Sequence, residues 1–320
     1  MPPTTDETIQ PLKDELTAIA PEDTMAEAGR KALLKDFIQF REYELTLADD
    51  AEIEAIHKMR VATRRMRSVF TLLGDYYKSK PVRPFEQHLK KLGKRLGKVR
   101  DIDVMTLNLT HYQQSGDAEG FAKQLTKLNK QRGKALKQLH KFISGDDHSA
   151  FIERFTKFLT TEGKSARKVE TDVAVPYQVR HVLPMVVQEH LATIKAYDNV
   201  VADADVNTLH ALRIEFKQLR YLITHFQDVL GASSSSFIDD LVKIQDYLGE
   251  LNDMVVAQDH FNKVIDNKKL SKADRHALKT YVTTLADDQQ DVINNFANIW
   301  DKFNTRTVQR RLVDALLVLR

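Results

Sequence analysis

The sequence has no cysteine, few glycines and prolines, and no long apolar run. The absence of cysteine excludes a disulfide framework, a thiolate metal site and a cysteine nucleophile. Only 11 glycines and 8 prolines occur in 320 residues, so the turns that an all-β or α/β fold needs are poorly supplied. No stretch approaches the roughly 18 consecutive apolar residues of a spanning helix, which excludes a membrane segment.

The N-terminal segment also lacks the features of a secretion signal. Residues 1–24 are acidic and interrupted by prolines, and they have neither a positively charged start nor an apolar centre. We therefore expect a flexible N-terminal tail over residues 1–24 and a cytoplasmic protein.

Positive charge is concentrated in one part of the chain. The net formal charge is only +3, but residues 57–141 contain 21 lysines and arginines against 6 aspartates and glutamates. This segment therefore carries +15 and the remainder of the chain −12. Such an asymmetry indicates an anionic partner, because a uniformly solvated surface does not need it.

Apolar residues recur with helical spacing in nearly every long segment. Eight segments follow a period of about 3.6 residues: 28–47, 89–102, 121–139, 182–194, 209–226, 237–256, 278–303 and 308–319. The segments between them are mostly short, as connections between helices usually are. The pattern predicts an all-α fold of about ten helices without a convincing strand.

Two stretches of the chain, 153 residues apart, share one pattern of side chains. Residues 56–67 read IHKMRVATRRMR and residues 209–220 read LHALRIEFKQLR. A second match at an offset of 152 follows, between LKKLGKRLGKVRD at 89–101 and LVKIQDYLGELND at 241–253. The repetition predicts that the chain consists of two homologous helical halves.

The first repeated pattern places four basic residues on one side of a helix. Residues at i, i+3, i+7 and i+10 of an α-helix fall within a stripe about 80° wide. In the two halves these positions hold His57, Arg60, Arg64 and Arg67, and His210, Arg213, Lys217 and Arg220. Like charges at this spacing repel by a few tenths of a kcal/mol per pair, so one such row is usually a solvated face. A row that occurs in both halves favours an anion site instead, since arginine and lysine are the natural donors to phosphate oxygens.

The second repeated pattern is strongly basic in the first half only. Asp246 and Glu250 stand in the second half at the positions of Lys94 and Lys98, while Lys243 is retained. The first half is therefore expected to supply more of the anion site.

Two aspartates and two glycines also recur in the second pattern. We expect Asp101 and Asp253 to orient arginines by ion pairing. Gly97 and Gly249, inside predicted helices, indicate a close approach of helices or a kink.

The two patterns and their C-terminal counterparts resemble the CHAD domain, whose name stands for conserved histidine α-helical domain. The segments that carry the resemblance are His-x-x-Arg-Val-x-x-Arg-Arg-x-Arg and Leu-Gly-x-x-Arg-Asp-x-Asp-Val, and it extends from about residue 25 to residue 320. It implies two four-helix bundles, residues 25–168 and 169–320, related by pseudo-two-fold symmetry with a basic cleft between them. It also implies binding of inorganic polyphosphate and association with polyphosphate granules.

The resemblance further implies which residues bind polyphosphate. Carried over position by position, they are His57, Arg60, Arg64, Arg67, Lys91, Lys94, Arg100, His210, Arg213, Lys217, Arg220 and Lys243. Asp246 and Asn252 depart from the basic residues found at the same positions of the first half.

The resemblance does not imply an enzyme. The Glu-x-Glu-x-Lys signature of the CYTH triphosphatase domain, to which CHAD domains are often fused, is absent, since Ile56 stands where lysine is needed after Glu52 and Glu54. We therefore expect a stand-alone protein without catalytic residues, cofactor or metal. The sequence leaves its oligomeric state open.

Three other functions remain as alternatives. Single-strand nucleic-acid binders interleave aromatic with basic residues for base stacking, but only Phe70 lies in the first basic helix, near a core position. Nucleic-acid binding through the backbone alone stays open. An enzyme acting on phosphate esters is less favoured, because no His-Glu-x-x-His motif or glycine-rich phosphate loop occurs. The last alternative is a purely structural helical scaffold.

Overall fold

The fold is all-α, as the apolar spacing predicts. The structure, a computed structural model, describes residues 5–47, 53–114, 121–266 and 270–319. These ranges contain no strand, and the α-helices within them are α1 Thr5–Asp14, α2 Met25–Thr46, α3 Ile53–Leu73, α4 Ser79–Gln114, α5 Ala122–Ile143, α6 Asp146–Leu159, α7 Val179–Lys195, α8 Val206–His225, α9 Ser233–Ile265, α10 Lys272–Phe303 and α11 Arg306–Leu316. None of the helices in these ranges combines the length and the apolar character needed to cross a membrane.

Several helices begin at a polar side chain that caps the first turn. Thr24, Asp205 and Ser271 each accept a hydrogen bond from the backbone N–H three residues later, at 3.1, 2.8 and 3.1 Å. Such caps satisfy one of the N–H groups that have no partner within the helix. They fix where α2, α8 and α10 begin.

The helices pack in two successive groups. In the first group α2 to α5 contact one another in chain order, and α6 returns to α2 and α4. In the second group α7 to α10 do the same, and α11 returns to α9. The order of the helices thus parallels the two predicted halves.

Helices α3 and α8, which carry the first repeated pattern, contact each other and join the two groups. Each presents an apolar face to the core, with Met59, Met66 and Phe70 on α3 and Leu212 and Leu219 on α8 all buried. The basic stripe of each helix runs beside this apolar face. The contact between α3 and α8 therefore brings basic residues of the two groups close together.

The N-terminal segment is not the flexible tail that its composition suggested. Residues Thr5–Asp14 form α1, which packs on α2. Ile9, Leu12 and Ile19 are buried in the core. Ile9 and Leu12 lie three residues apart on one face of the helix, and their burial anchors a segment whose remaining residues are mostly polar. Residues 1–4 of the expected tail lie outside the described residues.

Gly29 of α2 provides a test of the packing between α2 and Tyr77. The Tyr77 hydroxyl donates to the Ala26 carbonyl at 2.6 Å, and a Cβ at Gly29 would lie 2.5 Å from that hydroxyl oxygen. We predict that Gly29→Ala lowers the free energy of unfolding by about 1–3 kcal/mol through overpacking. Gly133→Ala is the matched control, because nothing lies within 4 Å of its added Cβ. There alanine raises stability by up to about 1 kcal/mol.

Urea denaturation of the two variants measures both effects. Equal stability of Gly29→Ala and Gly133→Ala would contradict the described contact between α2 and Tyr77.

Candidate functional site

A cavity of about 600 Å³ lies between α3 and α8 on one side and α4 and α9 on the other. Seven basic side chains line it: His57, Arg60 and Arg64 of α3, Arg100 of α4, and Arg213, Lys217 and Arg220 of α8. Both copies of the first repeated pattern therefore contribute to one cavity.

The other predicted site residues lie outside the cavity lining. Arg67, Lys91, Lys94, His210 and Lys243 are exposed. Arg67 is still near the cluster, because its charge helps to lower the pKa of Lys217. Lys243 Nζ lies 3.4 Å from a carboxylate oxygen of Asp240 on the same helix, so this lysine is ion-paired.

The cavity is lined by different positions of the two copies of each pattern. This difference explains why some predicted site residues line the cavity and others do not. Helix α3 contributes residues 57, 60 and 64 to the lining. Helix α8 contributes residues 213, 217 and 220, which correspond to 60, 64 and 67 of α3 and so lie about one turn further along. Likewise, the α9 residues between 245 and 256 correspond to 93–104, whereas α4 contributes residues between 100 and 108. The cavity is therefore displaced by about one turn from a symmetric position. This offset depends on how the helices pack, and no spacing within the sequence reveals it.

Three nitrogen atoms at the cavity are buried without a hydrogen-bond partner. They are Nε of Arg64, Nε of Arg213 and Nδ1 of His57, and none has a partner among the described residues. Among the described residues, no carboxylate forms an ion pair with any of the seven basic residues that line the cavity. A buried polar group left unsatisfied costs about 1–3 kcal/mol, and more when it is charged. The guanidinium groups of Arg64 and Arg213, which line the cavity, thus keep a donor that no described residue satisfies.

Burial and mutual repulsion lower the pKa of several of these groups. Burial is the largest effect on Lys217, and the charges of Arg213 and Arg64 add to it, so the pKa of Lys217 falls to about 8. Burial likewise lowers the pKa of Arg64 and of Arg213. The pKa of His57 is lowered by burial first and by Arg100 second. An anion in the cavity would reverse these shifts, because it favours the charged forms.

Two residues that were not among the predicted site residues hold arginines in place. The guanidinium carbon of Arg64 lies 5.5 Å from the ring centre of Tyr221, and that of Arg220 lies 5.0 Å from it. One buried ring thus contacts an arginine of each half. Arg220 Nε also donates to Gln245 Oε1 at 2.8 Å, and Gln245 Nε2 donates to the Phe216 carbonyl at 2.9 Å. The sequence signal for Tyr221 was its position directly after Arg220.

The wall formed by α4 and α9 is acidic and rich in amides. Its polar residues, besides Arg100, are Asp101, Asn108, Gln245, Asp246, Glu250, Asn252 and Asp253. The expected ion pairs of Asp101 and Asp253 with arginines are absent: neither carboxylate has a cationic nitrogen of a described residue within 4.0 Å. The helices hold these carboxylates too far from the guanidinium groups. Burial raises the pKa of Asp101, the charge of Arg60 opposes this, and that of Asp253 reinforces it.

The two glycines of the second pattern leave space beside the cations. A Cβ at Gly97 would lie 3.9 Å from Arg60 Nε, which is an ordinary contact and not a close approach of helices. Gly249 lines the cavity, and no atom lies within 4 Å of its added Cβ. A side chain at Gly249 would therefore occupy cavity space.

Lys217 allows the repulsion within the cluster to be measured. We predict that Lys217→Met raises the free energy of unfolding at pH 7 by roughly 1–2 kcal/mol, because it replaces a half-buried unpaired charge with an apolar chain of similar length. The folded-state pKa of Lys217, about 8, lies below its usual value of 10.5, so the unfolded chain binds more protons between these values. Wild-type stability should therefore rise relative to the variant between pH 8 and 10.5.

Chemical denaturation of both proteins across this range is the measurement. An advantage of the variant that does not change with pH would contradict the lowered pKa of Lys217.

Comparison with known proteins places the chain in a family. The family model of the CHAD domain matches residues 31–262. The chain is similar to the CHAD domain from the plant Ricinus communis, with a TM-score of 0.69 and 19% identity, over 87% of this chain and 94% of that one. It is also similar to PptA from Streptomyces chartreusis, with a TM-score of 0.66 and 12% identity, over 88% of this chain and 100% of that one. At these identities the two structures show the shared fold, and no curated protein matched the sequence. Because the family model covers most of its length, the chain belongs to the CHAD domain family.

Proposed function

We propose that the chain binds inorganic polyphosphate, without cleaving it, in the cavity between α3, α4, α8 and α9. The observation that carries the proposal is the set of partly buried basic groups from both halves that line one cavity without an ion pair to a carboxylate of the described residues. A polyanion would give these groups direct ion pairs, which the carboxylates of the α4 and α9 wall do not form with them.

The number of basic residues supports a ligand with several charges. A single small anion contacts only a few donors, whereas seven basic side chains surround about 600 Å³ here. Polyphosphate is a flexible linear polyanion with a charge on each phosphate and no bases. Many arginine and lysine contacts are therefore sufficient to bind it, and affinity should fall steeply with salt.

The composition of the lining favours polyphosphate over single-stranded nucleic acid. No aromatic side chain of the described residues lines the cavity. The Tyr221 ring lies beneath the guanidinium groups of Arg64 and Arg220, so it offers no face on which a base could stack. Competition between polyphosphate and single-stranded DNA or RNA at equal salt tests this preference.

Membership of the CHAD family supports the same ligand, because the resemblance of the motifs implies polyphosphate binding. Association with polyphosphate granules would follow from that binding. The non-catalytic part of the proposal is tested by incubating the protein with polyphosphate and Mg²⁺ and assaying released phosphate. Phosphate release that saturates with substrate and scales with enzyme would overturn it.

Removing one buried guanidinium from each half tests the cavity directly. We predict that the double variant Arg64→Gln, Arg213→Gln binds polyphosphate at least about 100-fold more weakly, because each lost charged hydrogen bond contributes about 1.5–3 kcal/mol. The slope of log affinity against log salt should decrease by about 2. Calorimetric titration at two ionic strengths measures both quantities.

The matched control carries Lys195→Gln and Lys279→Gln, which remove the same charge at exposed positions of α7 and α10. Equal losses of affinity in the double variant and this control would contradict the proposed site.

Gly249 tests the cavity without changing any charge. We predict that Gly249→Leu weakens polyphosphate binding by about 10-fold or more, because the new side chain enters space that the ligand needs. The fold should be kept and even stabilised by about 1 kcal/mol, since leucine is favoured over glycine inside a helix. Titration together with thermal denaturation gives the two readouts. A stable variant with wild-type affinity would place the ligand elsewhere.

A further inference from the structure

The exposed face of α5 carries a row of lysines that the cavity does not use. The six lysines are all exposed and fall within a stripe about 80° wide: Lys123, Lys127, Lys130, Lys134, Lys137 and Lys141. From the first to the last they extend over about 27 Å of helix. The opposite face packs into the core through Leu128, Ala135 and Leu139.

This lysine stripe lacks the negative charges that normally accompany an exposed basic face. Helix α5 contains no aspartate or glutamate. Among the described residues only Lys123 of the six is ion-paired, with Asp274 of α10 at 3.2 Å. Lysines three and four residues apart repel by a few tenths of a kcal/mol per pair. The repulsion between neighbouring lysines is therefore largely uncompensated along the helix. An uncompensated basic surface of this kind is suited to binding a polyanion.

A groove lies between α5 and the cavity. It encloses about 540 Å³ between α4, α5 and α9 and includes Lys134 of the stripe together with Lys98 and Lys263. Asp101, Met105 and Val256 line both this groove and the cavity, so the two spaces are adjacent. A flexible chain that fills the cavity can therefore continue through the groove to α5.

We propose that the lysine stripe of α5 is a second anion-binding surface, which holds the part of a long polyphosphate chain that leaves the cavity through this groove. The inference rests on the proposed function of the cavity. Binding of one chain at both places makes the second contact intramolecular, which raises affinity without any new contact in the cavity. Long chains gain from the stripe, and chains short enough to stay in the cavity do not.

The test removes four charges from the stripe and compares ligands of two lengths. The variant carries Lys130→Gln, Lys134→Gln, Lys137→Gln and Lys141→Gln. Its control removes four charges from exposed positions on α7, α10 and α11: Lys195→Gln, Lys279→Gln, Lys302→Gln and Arg306→Gln. Both are titrated with tripolyphosphate and with long-chain polyphosphate at two salt concentrations. Circular dichroism melting verifies that each variant is folded.

We expect the stripe variant to bind tripolyphosphate as the wild type does and long-chain polyphosphate at least about 10-fold more weakly. For the long chain the slope of log affinity against log salt should decrease by about 3 to 4. The control should keep wild-type affinity for both ligands.

The outcomes separate this inference from the function of the cavity. Unchanged long-chain affinity in the stripe variant, an equal loss in the control, or a parallel loss of tripolyphosphate binding would overturn the inference and leave the cavity proposal standing. Failure of the wild type to bind either polyphosphate would overturn the proposed function itself. Single-stranded RNA that outcompetes long-chain polyphosphate from the wild type but not from the stripe variant would overturn the choice of ligand for α5.

Discussion

The repulsion among partly buried cations at the contact of α3 and α8 is the constraint on which the site depends. Arg60 and Arg64 face Arg213 and Lys217 around one cavity, and no carboxylate of the described residues forms an ion pair with them. Burial and like charge both disfavour such a cluster, as the lowered pKa of Lys217 indicates. The cluster exists because each helix packs its apolar face into the core and the two helices contact each other beside their basic stripes. Residues that lower the stability of the folded protein in this way are typically retained because they bind a ligand.

Neutral groups, not carboxylates, hold the cations in position. The Tyr221 ring supports one arginine from each half, and the side-chain amide of Gln245 links Arg220 to the backbone of α8. These contacts orient the guanidinium groups and leave their charge available. An incoming anion therefore does not have to break an ion pair before it binds.

The acidic wall gives the cavity two sides of opposite sign. Asp101 and Asp253 lie across from the arginines at distances beyond ion pairing and act on them through space. This wall comes from the second repeated pattern, where the halves differ most in charge. The two copies of the second repeated pattern thus differ in charge. The first pattern keeps its cations in both halves, and α9 presents Asp246 and Glu250 in place of lysines.

Local features of the fold and site could be predicted from the sequence, whereas features that depend on packing could not. The helical period and the repeated basic row are properties of short segments, so the all-α fold and six basic residues of the cavity lining followed from them. His210 repeats the position of His57 but is exposed, because the cavity uses α8 one turn further along than α3. Burial of Ile9 in α1 similarly depends on a partner surface that the segment's own composition does not describe.

The most direct measurement is the pKa of Lys217, followed by NMR of its side-chain ammonium group with and without polyphosphate. We predict a pKa near 8 in the free protein, because burial and the neighbouring arginines disfavour the charge. Bound polyphosphate should raise that pKa toward or above its usual value of 10.5, since the polyanion stabilises the protonated form. A pKa of Lys217 that stays the same when polyphosphate binds would contradict the central claim that this cavity holds the polyanion.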